Sequence, residues 1–190
     1  MCNEHRIRKT LDQLKGDFGD FDIPFWADGG TNMQPRDSIR ITDRSPVVRP
    51  YEGGGRLQEM RWSWPGPGGK PVYNFRAEGR SFPLNTRCLV LTDGFFEFTD
   101  PEPGAKRKTK WLFTLGEDRL FAIAGVMRRW EDSAAFSMLT TEPGPDVAPY
   151  HHRSVAVLPP DRWKAWLAGE PEGRLLEPPP AGTLSVSRVG

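Results

Sequence analysis

Apolar residues recur along this chain in two rhythms. Near the start, Ile7, Leu11, Leu14 and Phe18 follow a 4-3-4 spacing, which predicts one helical face over residues 4–18. Asn3 stands where an N-cap belongs, and Gly16 or Gly19 ends the helix. Residues 20–31 mix Asp, Gly and aromatics and read as loop. Beyond them the rhythm shifts to short apolar runs and alternation. Residues 39–41, 47–48, 60–64 and 72–76 predict short strands, interrupted by a turn at 51–55 and by Pro65-Gly66-Pro67-Gly68-Gly69. The clearest strand region is 87–99, where Cys88-Leu89-Val90-Leu91 and Phe95-Phe96-Glu97-Phe98 flank Asp93-Gly94. That link makes the region a hairpin or a bend in one long strand. Further strands are predicted at 111–115, 120–126, 135–140, 155–158 and 183–186. Pro159-Pro160 opens a short helix that turns Trp163, Trp166 and Leu167 inward, and Gly169 closes it.

The pattern implies an α+β chain: one β-rich domain over residues 1–190, with a twisted sheet or barrel-like core and a few short helices. Residues from about 172 to 190, which include Pro178 to Pro180, are expected to form a loosely packed tail. At 190 residues one domain is the default, and it is large enough to bury a proper core.

Composition narrows the function classes. Hydrophobic residues make up 37% and charged residues 27%, as in soluble globular proteins. No run approaches the roughly 18 apolar residues of a membrane span. The first 30 residues carry Glu4, Asp12, Asp17, Asp20, Asp22 and Asp28 and lack the apolar run of a secretory signal, so a cytoplasmic location is expected. Two cysteines are too few for a disulfide scaffold. Three histidines and two cysteines show no zinc-finger spacing, so neither a metal nor another cofactor is expected. A net charge of +1 argues against a generic polyanion binder. Basic clusters at Arg6/Arg8/Lys9, Lys106/Arg107/Lys108/Lys110 and Arg128/Arg129 are either a solvated surface or local binding patches.

A few residues could carry chemistry. Cys2 becomes the amino terminus once a methionine aminopeptidase removes Met1, because its side chain is small. The α-amine and thiol would then form a 1,2-aminothiol, which reacts with aldehydes as no internal cysteine can: the amine forms a Schiff base and the thiol closes a thiazolidine. Both groups titrate near neutrality, and a neighbouring helix start would lower both further. Position alone leaves open whether Cys2 is simply a second residue. Glu97 sits in an aromatic strand, where desolvation would raise its pKa and suit it to general acid catalysis. Alternation does not settle whether its face is buried or solvent-exposed. His151 and His152 follow Pro149-Tyr150 and are candidate proton shuttles or plain loop residues. Asn74, two residues before Arg76, could orient a substrate, with the arginine on a phosphate.

Together these pieces resemble the SRAP family, the SOS response-associated peptidase family that processes abasic sites in single-stranded DNA. The resemblance runs through Met1-Cys2-Asn3, Asn32-Met33-Gln34-Pro35, Met60-Arg61-Trp62, Asn74-Phe75-Arg76, Arg87-Cys88-Leu89-Val90, Gly94-Phe95-Phe96-Glu97-Phe98, Leu139-Thr140-Thr141-Glu142 and Ala148-Pro149-Tyr150-His151-His152-Arg153. Each motif is short; their order and spacing from residue 2 onward carry the likeness.

The resemblance implies a lyase-like reaction with abasic single-stranded DNA. Glu97 opens the closed sugar as general acid–base, the Cys2 amine attacks C1′, and the thiol closes the ring. Asn74 positions the sugar and His151 moves protons. Arg76 and Arg153 match family arginines that meet phosphates, and Thr140 and Pro35 match positions lining the DNA channel. The protein is expected to act as a monomer on DNA at the nucleoid. The chain departs from the family at Cys2-Asn3-Glu4, where many members have Cys-Gly-Arg, and at Pro65-Gly66-Pro67-Gly68, where a Trp-Ala segment is usual. Two other readings remain. One is a cysteine peptidase using Cys2 with His151 as base. The other is a non-catalytic single-strand binder that stacks bases on Trp62 and Trp64.

Overall fold

The computed structural model describes residues 2–27, 33–117 and 119–190. In chain order the elements are β1 (Glu4–Ile7), α1 (Leu11–Asp20), β2 (Phe25–Ala27), β3 (Arg36–Arg40), β4 (Arg44–Tyr51), β5 (Gly54–Trp62), β6 (Trp64–Pro65), β7 (Pro71–Val72) and β8 (Asn74–Arg76). There follow β9 (Arg87–Thr92), β10 (Gly94–Thr99), β11 (Thr109–Leu115), β12 (Phe121–Trp130), β13 (Ser133–Thr141), β14 (Ser154–Val155), β15 (Val157–Leu158), α2 (Trp163–Ala168), α3 (Glu172–Leu175) and β16 (Leu184–Arg188).

The larger sheet closes on itself. Strands β13, β12, β9, β4 and β5 lie side by side, and the parallel pairing of β5 with β13, Arg61 opposite Ala135 and Trp62 opposite Phe136, completes a five-stranded ring. Closure removes the unpaired edges that an open sheet would leave. The barrel-like core expected from the strand pattern is therefore present. Every residue of β9 is buried. One reason is α2, which covers the sheet with Trp163, Trp166 and Leu167 and donates from Trp166 Nε1 to the Cys88 carbonyl at 3.0 Å. Gly169 ends α2 at φ 81°, a conformation that glycine adopts without a Cβ clash.

A second sheet, in the order β16-β11-β10-β1-β3, lies beside the barrel. The chain passes from one sheet to the other at Asp93. Strand β9 pairs with β4 and β12, whereas β10 pairs with β1 and β11, so 87–99 is a bend in one extended run and no hairpin. Asp93 is buried there and accepts from Arg6 Nε at 2.8 Å and from the Arg8 N–H. Thr92 Oγ1 donates to the Arg6 carbonyl at 2.8 Å. A Cβ on Gly94 would meet Leu112 Cδ1 at 2.8 Å and Arg6 Nε at 3.0 Å, so a larger residue here would make those two side chains shift.

The amino-terminal segment differs from its predicted form. Residues 4–7 are a strand, and the helix begins only at Leu11. The apolar spacing is real, since Ile7, Leu14 and Phe18 are all buried, but Ile7 reaches the core from β1 and the other two from α1. The local stop is a capping box at Thr10: Gln13 N–H donates to Thr10 Oγ1 at 3.4 Å, and Thr10 N–H donates to Gln13 Oε1 at 2.9 Å. Asn3 caps no helix. The expected loose tail is also fastened, because β16 runs antiparallel along β11 and buries Leu184. Among the described residues no helix is long and apolar enough to cross a membrane.

Candidate active site

Sheet register delivers Cys2 to its neighbours. Strand β1 runs antiparallel to β10 with Glu4 opposite Phe96, so the residues before Glu4 run alongside those after Phe96. The backbone N–H of Cys2 donates to the Glu97 carboxyl. Asn74, at the start of β8, is held parallel to β13 opposite Met138. From there its Nδ2 donates to the Cys2 carbonyl at 2.8 Å. Its Oδ1 is buried and has no hydrogen-bond partner among the described residues. An orphaned acceptor of this kind costs stability unless something outside the chain satisfies it.

The electrostatics follow from burial. Glu97 is only 1% exposed, and desolvation pushes its carboxyl up to about 7, against the pull of the Cys2 N–H. Cys2 is likewise 1% exposed, and its Sγ donates to the Glu4 carbonyl at 3.2 Å. Burial, reinforced by the Glu97 charge, pushes the thiol well above its ordinary range. This reverses the expectation of a thiol activated by a helix dipole, because Cys2 leads into a strand and not a helix.

His151 reaches this end of the sheet through its neighbour. The Tyr150 ring lies 4.8 Å from that of Trp111 and edge-on to Phe113, and Trp111 is the β11 residue directly opposite Glu97. The His151 ring stacks on His152 at 4.4 Å. Its Nδ1 lies 3.0 Å from both the N–H and the carbonyl of Arg153. Burial lowers its pKa. The structure thus joins Cys2, Asn74 and Glu97 by direct hydrogen bonds and brings His151 in through the Tyr150 contact.

The residues matched to DNA contacts are placed differently from one another. Arg76 is exposed at the end of β8, opposite Thr140. Pro35 is exposed just before β3. Thr140 is buried, and its carbonyl accepts from the Ala77 N–H at 2.9 Å. Arg153 is only 4% exposed, and its guanidinium is held by Glu78, Glu142 and Thr140. Trp62 is fully buried and Trp64 is 8% exposed, so neither offers an open ring face for base stacking. Met1 and Asn32 lie outside the described residues.

Sequence reasoning missed the roles of Glu4, Lys110 and Asp93. Glu4 is buried, accepting from Lys110 Nζ and Ser38 Oγ, each at 2.7 Å. Burial pushes its carboxyl up, but Lys110 and Ser38 outweigh that and leave it below the usual range. Lys110 also lies 3.9 Å from the centre of the Phe96 ring. A lysine in a basic cluster gave no sign of this inward role. Asp93, buried against Arg6, was readable only as a turn residue.

Fold and site define a β-barrel protein whose Cys2 is set against a buried carboxyl and a half-buried amide. The family model described as SOS response associated peptidase (SRAP) matches residues 1–190, and the chain belongs to that family. It is 24% identical over 185 residues to the abasic site processing protein YoaM of Bacillus subtilis, covering 88% of this chain and 79% of that protein. Among solved structures, a Bacteroides thetaiotaomicron protein superposes with a TM-score of 0.74 at 16% identity, covering all of this chain and 92% of that one. A Bordetella bronchiseptica protein superposes with a TM-score of 0.72 at 19% identity over the whole of both chains. These likenesses establish a shared fold.

Proposed function

We propose that this protein processes abasic sites in DNA, and that it does so by trapping the sugar aldehyde of a single-stranded site on Cys2. The observation that carries the proposal is the hydrogen bond between the Cys2 nitrogen and the Glu97 carboxyl. After Met1 is removed, that nitrogen is the α-amine, and Glu97 is already beside the reacting atom. A carboxyl held near 7 exchanges protons readily at neutral pH. Protonated, it assists opening of the cyclic hemiacetal; ionised, it accepts a proton from the ammonium.

The order of steps follows from the two pKa directions. The thiol stays protonated, so the amine attacks C1′ first, and loss of one water gives the Schiff base. The Sγ–H bond then breaks, its proton passing to His151, while Sγ bonds to C1′ and the iminium electrons return to nitrogen. Closure is intramolecular, where effective molarities reach roughly 10⁵ M or more. The ring removes the iminium that strand-cleaving elimination requires. Asn74 fixes Cys2 through its carbonyl, and Asn74 Oδ1 is a ready acceptor for a sugar hydroxyl. All four residues come from one chain, so a monomer suffices. The place of action is the nucleoid.

Burial of the thiol disfavours the peptidase reading, which needs a thiolate nucleophile. The test is incubation of the mature protein with single-stranded DNA containing one abasic site, followed by a denaturing gel. A shifted band that survives denaturation, and that is lost in Cys2→Ala, is expected. Equal crosslinking by Cys2→Ala would contradict the mechanism.

A further inference from the structure

Each reacting part of Cys2 has its own anchor. The N–H is bonded to Glu97 and the carbonyl to Asn74. The thiol is held elsewhere: Sγ donates to the Glu4 carbonyl at 3.2 Å, and the main chain of Phe96, the residue opposite Glu4, also hydrogen-bonds it. Glu4 and Phe96 therefore set where the thiol sits when the amine reacts, although neither side chain takes part in the crosslinking chemistry.

That pair is clamped from both sides of the sheet. Glu4 lies opposite Arg40 of β3 and opposite Phe96 of β10. Its Oε1 accepts from Ser38 Oγ on β3 and from Lys110 Nζ on β11, each at 2.7 Å. Strand β11 is two places from β1, so Lys110 reaches across β10, with its ammonium 3.9 Å from the centre of the Phe96 ring. One lysine thus holds both residues that touch the thiol, the first by its carboxylate and the second by its ring. The Glu4 side chain is almost wholly buried, where charge pairing is weakly screened and an unpaired charge strongly disfavoured. Lys106, Arg107 and Lys108, the other cations of this cluster, are exposed, so Lys110 alone among them turns inward.

The geometry points to Glu4, Lys110 and Ser38 as positioning residues that hold the Cys2 thiol ready for ring closure, and so set how an abasic Schiff base divides between stable crosslink and strand cleavage. The assignment rests on the proposed aldehyde trap. Two routes leave the Schiff base. In one, Sγ loses its proton and bonds to C1′ as the iminium electrons return to nitrogen. In the other, a base takes the C2′ proton, the C2′–H electrons become the C2′=C3′ bond, and the C3′–O bond breaks with its pair leaving on the 3′ phosphate. Closure needs a placed thiol and elimination needs none. A displacement of about 1 Å can slow a reaction between held groups about 10²-fold, so loosening the clamp shifts the division toward cleavage. Partial unfolding lowers both routes together and leaves their ratio alone.

The test compares mature full-length wild type with Lys110→Met, Ser38→Ala and Lys110→Arg on single-stranded DNA carrying one abasic site. Ser38 is exposed on an edge strand, so its variant folds even if Lys110→Met does not. The ratio of cleaved strand to heat-stable crosslink is expected to rise about tenfold in Lys110→Met, by a smaller factor in Ser38→Ala, and to fall back toward wild type in Lys110→Arg, which keeps the cation. Borohydride, which reduces the accumulated Schiff base, restores covalent adduct in the variants. Without DNA, alkylation of Cys2 in the native fold, with Cys88 as internal reference, speeds up in the same order. Equal ratios and equal alkylation rates in wild type, Lys110→Met and Ser38→Ala would overturn the clamp. Absence of any adduct in wild type would instead refute the proposed function, and the alkylation rates then decide the clamp by themselves.

Discussion

A carboxyl that titrates at about 7 in the folded chain and at 4.5 when exposed carries a pH-dependent cost. Below 4.5 both states hold the proton and the cost vanishes. As pH rises from 4.5 through 7 the unfolded chain releases its proton first, and folding loses about 3 kcal/mol by linkage. Glu97→Gln is therefore expected to be more stable than wild type at pH 8 by up to that amount and equal to it at pH 4, measured by urea unfolding. The same variant is expected to crosslink roughly 10²- to 10⁴-fold more slowly, the usual scale for losing a general acid–base. A residue that costs stability and supports chemistry is the pattern expected of a functional site.

His5 shows the opposite dependence. It is buried, its Nε2 lies 3.1 Å from Ser45 Oγ, and burial lowers its pKa from 6.5 to about 3. Above 6.5 it is neutral in both states. As pH falls from 6.5 toward 3 the unfolded chain gains a proton that the folded chain refuses, and stability drops by about 4 kcal/mol. His5→Gln is expected to flatten unfolding free energy against pH across that window. A slope equal to that of wild type would show that His5 is not the group responsible.

At the scale of elements, the site depends on β1 being pinned at the sheet crossing. Asp93 holds Arg6 and the Arg8 N–H, and Arg6 lies on the strand that leads directly from Cys2. Asp93→Ala leaves a buried guanidinium without this partner and is expected to cost roughly 3 to 5 kcal/mol. Crosslinking falls with it, because β1 loses its register. Thr10→Ala removes a helix cap and is expected to cost about 1 kcal/mol with crosslinking intact, since none of the four site residues lies on α1. Thermal unfolding paired with the gel assay separates the two outcomes.

These elements also mark where sequence patterning stopped being informative. The strand runs and α2 were legible because apolar spacing and Pro/Gly punctuation are local properties. The start of α1 was misplaced because residues 4–7 become a strand by pairing with β3 and with β10, the latter about 90 positions away, which no local spacing records. For the same reason the face of Glu97 was undecided. Alternation assigns one face per residue, yet β10 is covered on both sides, and Phe95, Phe96 and Glu97 are all buried. Cys2, Asn74, Glu97 and His151 were singled out by residue chemistry and given joint roles by the family motifs; the contacts among them come from strand register.

Across the whole molecule, the closed barrel is the support against which the site is built. Trp62 closes it, donating from Nε1 to the Tyr73 carbonyl at 2.9 Å, stacking on Phe136 and meeting His5 edge-on at 5.4 Å. Tyr73, which accepts that bond, directly precedes Asn74 and so links barrel closure to the start of β8. Trp62→Ala is expected to cost about 3 to 5 kcal/mol and to lower every activity in proportion to the folded fraction. A base-stacking role would instead weaken DNA binding in a fully folded variant.

The central claim is that amine and thiol of Cys2 both bond to the sugar. Mature protein incubated with abasic single-stranded DNA, then digested with nuclease and protease, is expected to yield an amino-terminal peptide without Met1. That peptide carries the deoxyribose remnant less one water, with no thiol left to alkylate and no borohydride needed to trap it. An unmodified amino-terminal peptide, or an adduct whose thiol still alkylates, would contradict the account.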